Sequence, residues 1–86
     1  MFTIYRKEVG GRVHNRYFHD YAVARRELHA DVERMRDICH AKVTERIDRM
    51  NVDKGFYEYE IRMVNPDGEK VSHALIEDYF EDEPNA

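Results

Sequence analysis

The stretch YAVARRELHADVERMRDICHAKVTERIDRMN, residues 21–51, decides the fold. Tyr21, Ala24, Leu28, Val32, Met35, Cys39, Val43, Ile47 and Met50 recur in it at spacings of three and four, which lays one apolar stripe along an α-helix. Asp20 stands where an N-cap belongs, its carboxylate able to accept from free first-turn amides. No proline or glycine interrupts the pattern before Gly55, so the expectation is a single helix over residues 21–51. Such a helix is about 45 Å long, against roughly 25 Å for the flanking strands. It must overhang its sheet or break. An overhang would leave Val43, Ile47 and Met50 without an intramolecular surface, and they become the candidate seam of a homodimer.

Downstream, FYEYEIRMVNPDGEKVSHALIE (residues 56–77) alternates on both sides of Asn65-Pro66-Asp67-Gly68, a turn with proline at its second position and a glycine suited to the left-handed residue. Counting out from that turn, Asn65 faces Glu69, Met63 faces Val71, Ile61 faces His73, Tyr59 faces Leu75 and Tyr57 faces Glu77. The apolar sides of the two strands then coincide. Upstream, Gly10-Gly11 splits FTIYRKEV from RVHNRYF; a two-residue loop there, the favoured register, groups Phe2, Ile4, Val13 and Tyr17 on one face, whereas a three-residue loop groups Tyr5, Val9, Val13 and Tyr17. The expected fold is α+β, ββαββ: an antiparallel four-stranded sheet with one long helix packed on a single face. A single domain spans residues 1–76, and residues 77–86 form an acidic C-terminal tail.

Eighty-six residues allow one core. The charged fraction of 37% and net charge of −4 predict a densely charged surface of the wrong sign for binding a phosphate backbone, so no direct nucleic-acid binding is expected. The longest apolar runs are far shorter than a membrane span, and the single cysteine cannot form an internal disulfide. These features predict a cytoplasmic protein with no membrane segment.

Catalytic chemistry finds little support. His73 is one imidazole on the core side of a strand, and a lone histidine among Tyr59, Ile61 and Leu75 reads as a neutral core residue held by a tyrosine hydroxyl or a backbone carbonyl. An enzyme built on His73 is the least favoured alternative. A metal site would have to gather His14, His19, His29, Cys39, His40 and His73. On a helix, however, Cys39 and His40 point about 100° apart, and no paired ligand spacing occurs. Cys39 falls within the apolar stripe and is expected to be a buried structural thiol. No phosphate-binding glycine loop, G-x-S-x-G or H-E-x-x-H occurs. Neither cofactor nor metal is expected.

Binding is the stronger reading. Phe56, Val64, Ala74 and Ile76 make the second face of the C-terminal hairpin more apolar than solvation requires. In the following segment Tyr79 and Phe80 lie among Glu77, Asp78, Glu81, Asp82 and Glu83, a composition suited to anchoring rings in a partner while carboxylates meet its basic rim. Lys42, Arg46 and Arg49, read as a row on the helix, offer an internal alternative for those acids. In size, acidity and lack of catalytic motifs the chain is similar to small phage-encoded anti-defence proteins, anti-CRISPR proteins among them, that occlude nucleic-acid-binding surfaces. That likeness is one of general character. It implies a non-enzymatic inhibitory module whose protein partner has a basic surface, and it carries over no functional residue.

Overall fold

A computed structural model describes residues 2–51 and 56–78. Six elements follow in chain order: β1 (Phe2–Val9), β2 (Arg12–Phe18), α1 (Tyr21–Ile38), β3 (Lys42–Asn51), β4 (Phe56–Val64) and β5 (Lys70–Asp78). The fold is α+β, with one helix on an antiparallel sheet, but the sheet has five strands, ordered β2-β1-β5-β4-β3, and the topology is ββαβββ. The expected ββαββ plan is corrected by one strand, taken from what read as the second half of the helix.

Both glycine-containing turns set their hairpins as expected. Gly10 and Gly11 have φ of 54° and 85°, the left-handed pair that a two-residue hairpin loop needs, and Val9 pairs with Arg12. Ile4 lies opposite Tyr17 and Glu8 opposite Val13, so Ile4, Val13 and Tyr17 do share a face. At the second turn Gly68 has φ of 90°, and the Asn65 amide donates to the Glu69 carbonyl at 2.8 Å. Every cross-strand pair counted from that turn is present, from Met63 opposite Val71 to Tyr57 opposite Glu77.

The last strand in sequence occupies the middle of the sheet. β5 pairs with β1 on one side and β4 on the other. Its run Val71-Ser72-His73-Ala74-Leu75-Ile76 carries no formal charge, which suits the only strand flanked by two others on each side. The edges, β2 and β3, carry Arg12, Arg16, Glu45, Arg46, Asp48 and Arg49, charges that discourage edge-to-edge pairing. Between α1 and the sheet lies one core, formed by Tyr5, Ala24, Leu28, Val32, Ala41, Tyr59, Ile61, Met63, Val71 and Leu75.

Asp20 caps α1 as expected, with extended backbone and a carboxylate accepting from the Ala22 amide at 2.9 Å. The helix stops at Ile38, where Cys39 is the C-cap and His40 takes φ of 58°, while the amides of Cys39 and Ala41 both donate to the Met35 carbonyl. Beyond this point a continued helix would have nothing to pack on. As β3, the same residues hydrogen-bond along β4. The apolar spacing of 43, 47 and 50 misled because a bulge between Val43 and Glu45 shifts the alternation. Val43 and Met50 pair with the helix-facing Met63 and Tyr57, whereas Ile47 pairs with Glu60 and points the other way. The three residues therefore do not lie in one row, and the helical overhang on which the seam was based is absent. Cys39, read as buried, is an exposed free thiol because it ends the helix instead of lying in its stripe.

His40 holds a left-handed conformation with a β-carbon, at the position where helices favour glycine. His40→Gly is expected to stabilise the fold by about 1 kcal/mol, read as a higher urea midpoint at unchanged m value. An equal or lower midpoint contradicts this account of the helix stop.

Candidate functional site

Three polar arrangements stand on this scaffold, and their accessibility separates their possible roles. The first is sealed under α1. Tyr5 donates its hydroxyl to Asp31 at 2.7 Å, and Arg34 reaches the other oxygen of that carboxylate at 2.6 Å. Burial raises the Tyr5 pKa, and the bond to Asp31 raises it further, so the phenol stays protonated and remains a donor.

His73 lies beside this pair, fully buried, its ring stacked on that of Tyr5 with centroids 6.2 Å apart. Its backbone neighbours are Lys7 on β1 and Ile61 on β4. The expected core-side placement holds. The expected hydrogen bond does not: neither ring nitrogen has a partner among the described residues, because the Tyr5 hydroxyl is committed to Asp31. Burial, assisted by the Lys7 charge and opposed by Asp31, lowers the His73 pKa to about 4. The imidazole is neutral at pH 7 and enclosed on every side, which gives it no route to a substrate.

The second arrangement is the sheet face opposite α1. On β5 it carries Ser72, buried Ala74 and half-buried Ile76, and no described element covers it. Across the sheet, Ile76 lies level with Ile4 and Tyr17 on one side and with Glu58 and Arg49 on the other. Ala74 lies level with Arg6 and Asn15, and with Glu60 and Ile47. The face is therefore divided. Its β3–β4 half is tied up in internal charge pairs: Arg49 to Glu58, and Arg62 to Glu60 at 3.1 Å and to Glu45 at 2.8 Å. Burial works to raise the Glu60 pKa, but hydrogen bonds from Ser72 and Arg62 outweigh it and hold the carboxyl below its ordinary value. The β5–β1–β2 half is apolar at Ile76 and Ile4 and again at Val13, 48% exposed, with Arg6, which donates to Asn15, and Glu8 between them on the same face.

The sequence-predicted binding residues fall unevenly on this plan. Ile76, Ala74 and Val64 share the open face as expected, and Phe56 pairs with Asp78 at the end of the hairpin. Glu77 is corrected: β5 runs on through Asp78, and Glu77 is buried on the helix side between Thr3 and Tyr57, so it belongs to the domain and not to a tail. Tyr79, Phe80, Glu81, Asp82 and Glu83 lie outside the described residues. Lys42, Arg46 and Arg49 are not a helical row, since all three belong to β3 and Arg49 is engaged by Glu58.

The third arrangement was missed in the sequence. Tyr21, Arg25 and His29 follow one another at spacings of four along one flank of α1 and face β4. Tyr21 meets the Tyr57 ring edge-on, the Arg25 guanidinium lies 4.3 Å over the Tyr59 ring, and His29 Nε2 is 3.2 Å from the Tyr59 hydroxyl. The signal was the four-residue spacing of polar and aromatic groups next to the apolar stripe. It gains meaning only when the strand opposite is known.

No protein family, curated protein or solved structure matches the chain. Among the described residues no group of three or more histidine, cysteine or acidic side chains could hold a metal ion, and no helix is long and apolar enough to cross a membrane.

The lowered His73 pKa fixes the sign of a pH effect. Protonation is easier in the unfolded chain, near pH 6.5, than in the fold, near pH 4, so stability is retained above pH 6.5 and lost as pH falls towards 4. The loss from this group is roughly 3 kcal/mol. His73→Leu should flatten this part of the urea-unfolding profile without lowering stability at pH 7, since it removes a polar group that has no partner. A variant with the wild-type pH profile excludes His73 as the cause. Tyr5→Phe, in contrast, leaves buried Asp31 short of a donor and should cost about 1–3 kcal/mol at pH 7; a thermal midpoint within error of wild type contradicts that role.

Proposed function

We propose that this chain is a small acidic, non-enzymatic protein-binding or inhibitory module. Its partner docks on the open sheet face through a surface with an apolar centre and a basic rim. The observation that supports this most is the uncovered face beside β1, where Ile76, Ile4 and Tyr17 lie level across three strands, with Arg6 and Asn15 in the next row and Val13 beyond it, while the β3–β4 half is tied up in internal charge pairs. Leaving such a row in water is unfavourable by about 25 cal/mol per Å² of apolar surface, and a partner removes that cost.

Charge gives the partner its sign. The chain leaves β5 at Asp78, two residues beyond Ile76, and Glu81, Asp82 and Glu83 follow shortly after, so the acids lie close in sequence to the end of the apolar row. Such acids accelerate encounter with a basic surface, while the apolar contacts set how long the complex lasts. A basic surface built for nucleic acid is the target class this suits, as with the small phage anti-defence inhibitors that the chain is similar to in general character. The enclosure of His73 weighs against an enzyme that uses it.

A second reading rests on the same face. Its paired charges are close to neutral in sum, which permits two copies to stack sheet on sheet as a homodimer. Sedimentation of the pure protein separates the two readings. A monomer at high concentration, together with a partner that Ile4→Glu and Ile76→Glu release without lowering the thermal midpoint, supports the heteromeric module. A dimer split by Ile4→Glu supports self-association. Truncation after Asp78 should weaken partner binding and flatten its salt dependence. A partner retained by all three variants overturns the assignment of this face.

A further inference from the structure

We propose that the cavity at the junction of α1 and β3 is a binding site for a phosphate group, taken as the dianion of a phosphomonoester. Arg36, His40, Lys42 and Arg46 are its contacts. The site shares no residue with the apolar row of the open face, and the inference does not depend on the protein-binding reading.

The cavity follows from the way α1 stops. Its last turn carries Arg36 and Asp37, and two residues after Ile38 the left-handed backbone of His40 turns the chain into β3, which opens with Lys42. Arg46 follows on β3, on the helix-facing side by its pairing with Ile61. The side chains of Arg36, Asp37, His40, Lys42 and Arg46 line one cavity of about 590 Å³, together with buried Ala41 and half-buried Val43. That volume lies within the range of small-molecule sites.

The cavity stays positive after its opposing charges are counted. Arg36, Lys42 and Arg46 bring three permanent positive charges and Asp37 one negative charge. The C-terminal end of α1 adds about half a negative charge, so about one and a half positive charges remain. This is a local reversal in a chain whose net charge is −4. A dianion matches such a sum more closely than a single carboxylate does, and it has oxygens enough for contacts from both elements at once.

His40 separates this cavity from an ordinary basic surface. Cations near a helix C-terminus also complement the helix dipole, and Arg36, Lys42 and Arg46 alone would indicate no more than that. A histidine with φ of 58° serves no such purpose by its backbone, because the position favours glycine and a β-carbon there is held at a cost in stability. Its imidazole lines the same cavity as the three cations. Backbone strain kept at a residue whose side chain joins such a group points to a use for that side chain. Whether neutral or protonated, the ring has an N–H to donate to a phosphate oxygen.

The test is an NMR titration of the full chain with inorganic phosphate, at constant ionic strength set with chloride, followed at the amide signals of Lys42 and Val43. The expected result is a saturable shift, with binding weakened roughly fivefold in Arg46→Gln and in Lys42→Gln. His40→Gly should raise the urea midpoint and at the same time weaken phosphate binding by a similar factor, a combination that a merely structural histidine does not produce. Arg26→Gln changes the net charge equally but lies in the first half of α1, and it leaves binding unchanged. O-phosphoserine and a nucleoside 5′-monophosphate, titrated in parallel, distinguish the source: the one that binds more tightly than inorganic phosphate is the class the cavity takes, and equal binding of all three assigns it to the phosphate group alone. A non-saturating response, a response matched by acetate, or a His40→Gly variant that binds phosphate as tightly as the wild type overturns the proposal.

Discussion

The pairing of β1 with β5 is the contact on which the rest of the molecule depends. Each glycine-containing hairpin is local and sets its own register, but neither buries its apolar side alone. When Tyr5 comes opposite Leu75, and Val9 opposite Val71, the two hairpins become one sheet and the apolar row continues through Tyr59 and Met63. Only then is there a surface for Leu28 and Val32 of α1 to cover. This contact joins opposite ends of the sequence, so its loop-closure entropy must be met before α1 and the sheet can pack together.

The polar groups beneath the helix then choose among the ways α1 could lie on that sheet. An apolar stripe tolerates sliding and rotation, but a buried carboxylate does not. Asp31 must meet the Tyr5 hydroxyl, and a displacement of one turn would leave it buried without that donor. His73 has no such function. It fills volume beside Tyr5 in neutral form, and its two ring nitrogens, without partners among the described residues, make it a weak point of the same core. Two buried polar side chains in contact with the same tyrosine thus act in opposite directions, one fixing the geometry and the other lowering stability in acid.

Much of this was legible from local chemistry. The turn at Asn65–Gly68, the Gly10-Gly11 hairpin and the Asp20 cap each follow from a residue whose backbone or side-chain preference has one good solution. β3 was not legible, for two physical reasons. The residue that ends α1 is His40 and not glycine, so no stop signal stands in the sequence. The bulge after Val43 also breaks the two-residue alternation, leaving an apolar spacing of four and three that belongs equally to a helix. One misread strand displaced everything placed on it: the seam of Val43, Ile47 and Met50, the basic row, and the burial of Cys39.

A mismatch of size connects the fold to its uncovered surfaces. An 18-residue helix is about 27 Å long and about 10 Å wide, whereas five strands at roughly 4.8 Å spacing are about 19 Å across between the axes of the outermost two. One helix cannot cover even one side of such a sheet. The uncovered area is treated differently in its three parts. On the open face next to β3, arginines and glutamates neutralise each other. On the open face next to β1, aliphatic side chains remain at the surface. On the helix side of β3, a cation and an anion, Arg46 and Asp48, stand exposed two residues apart on one strand. Mutual neutralisation is what a purely solvated face would use throughout. The part beside β1 departs from it, because Ile4 and Ile76 have no charge for a neighbour to neutralise and only a covering surface would remove them from water.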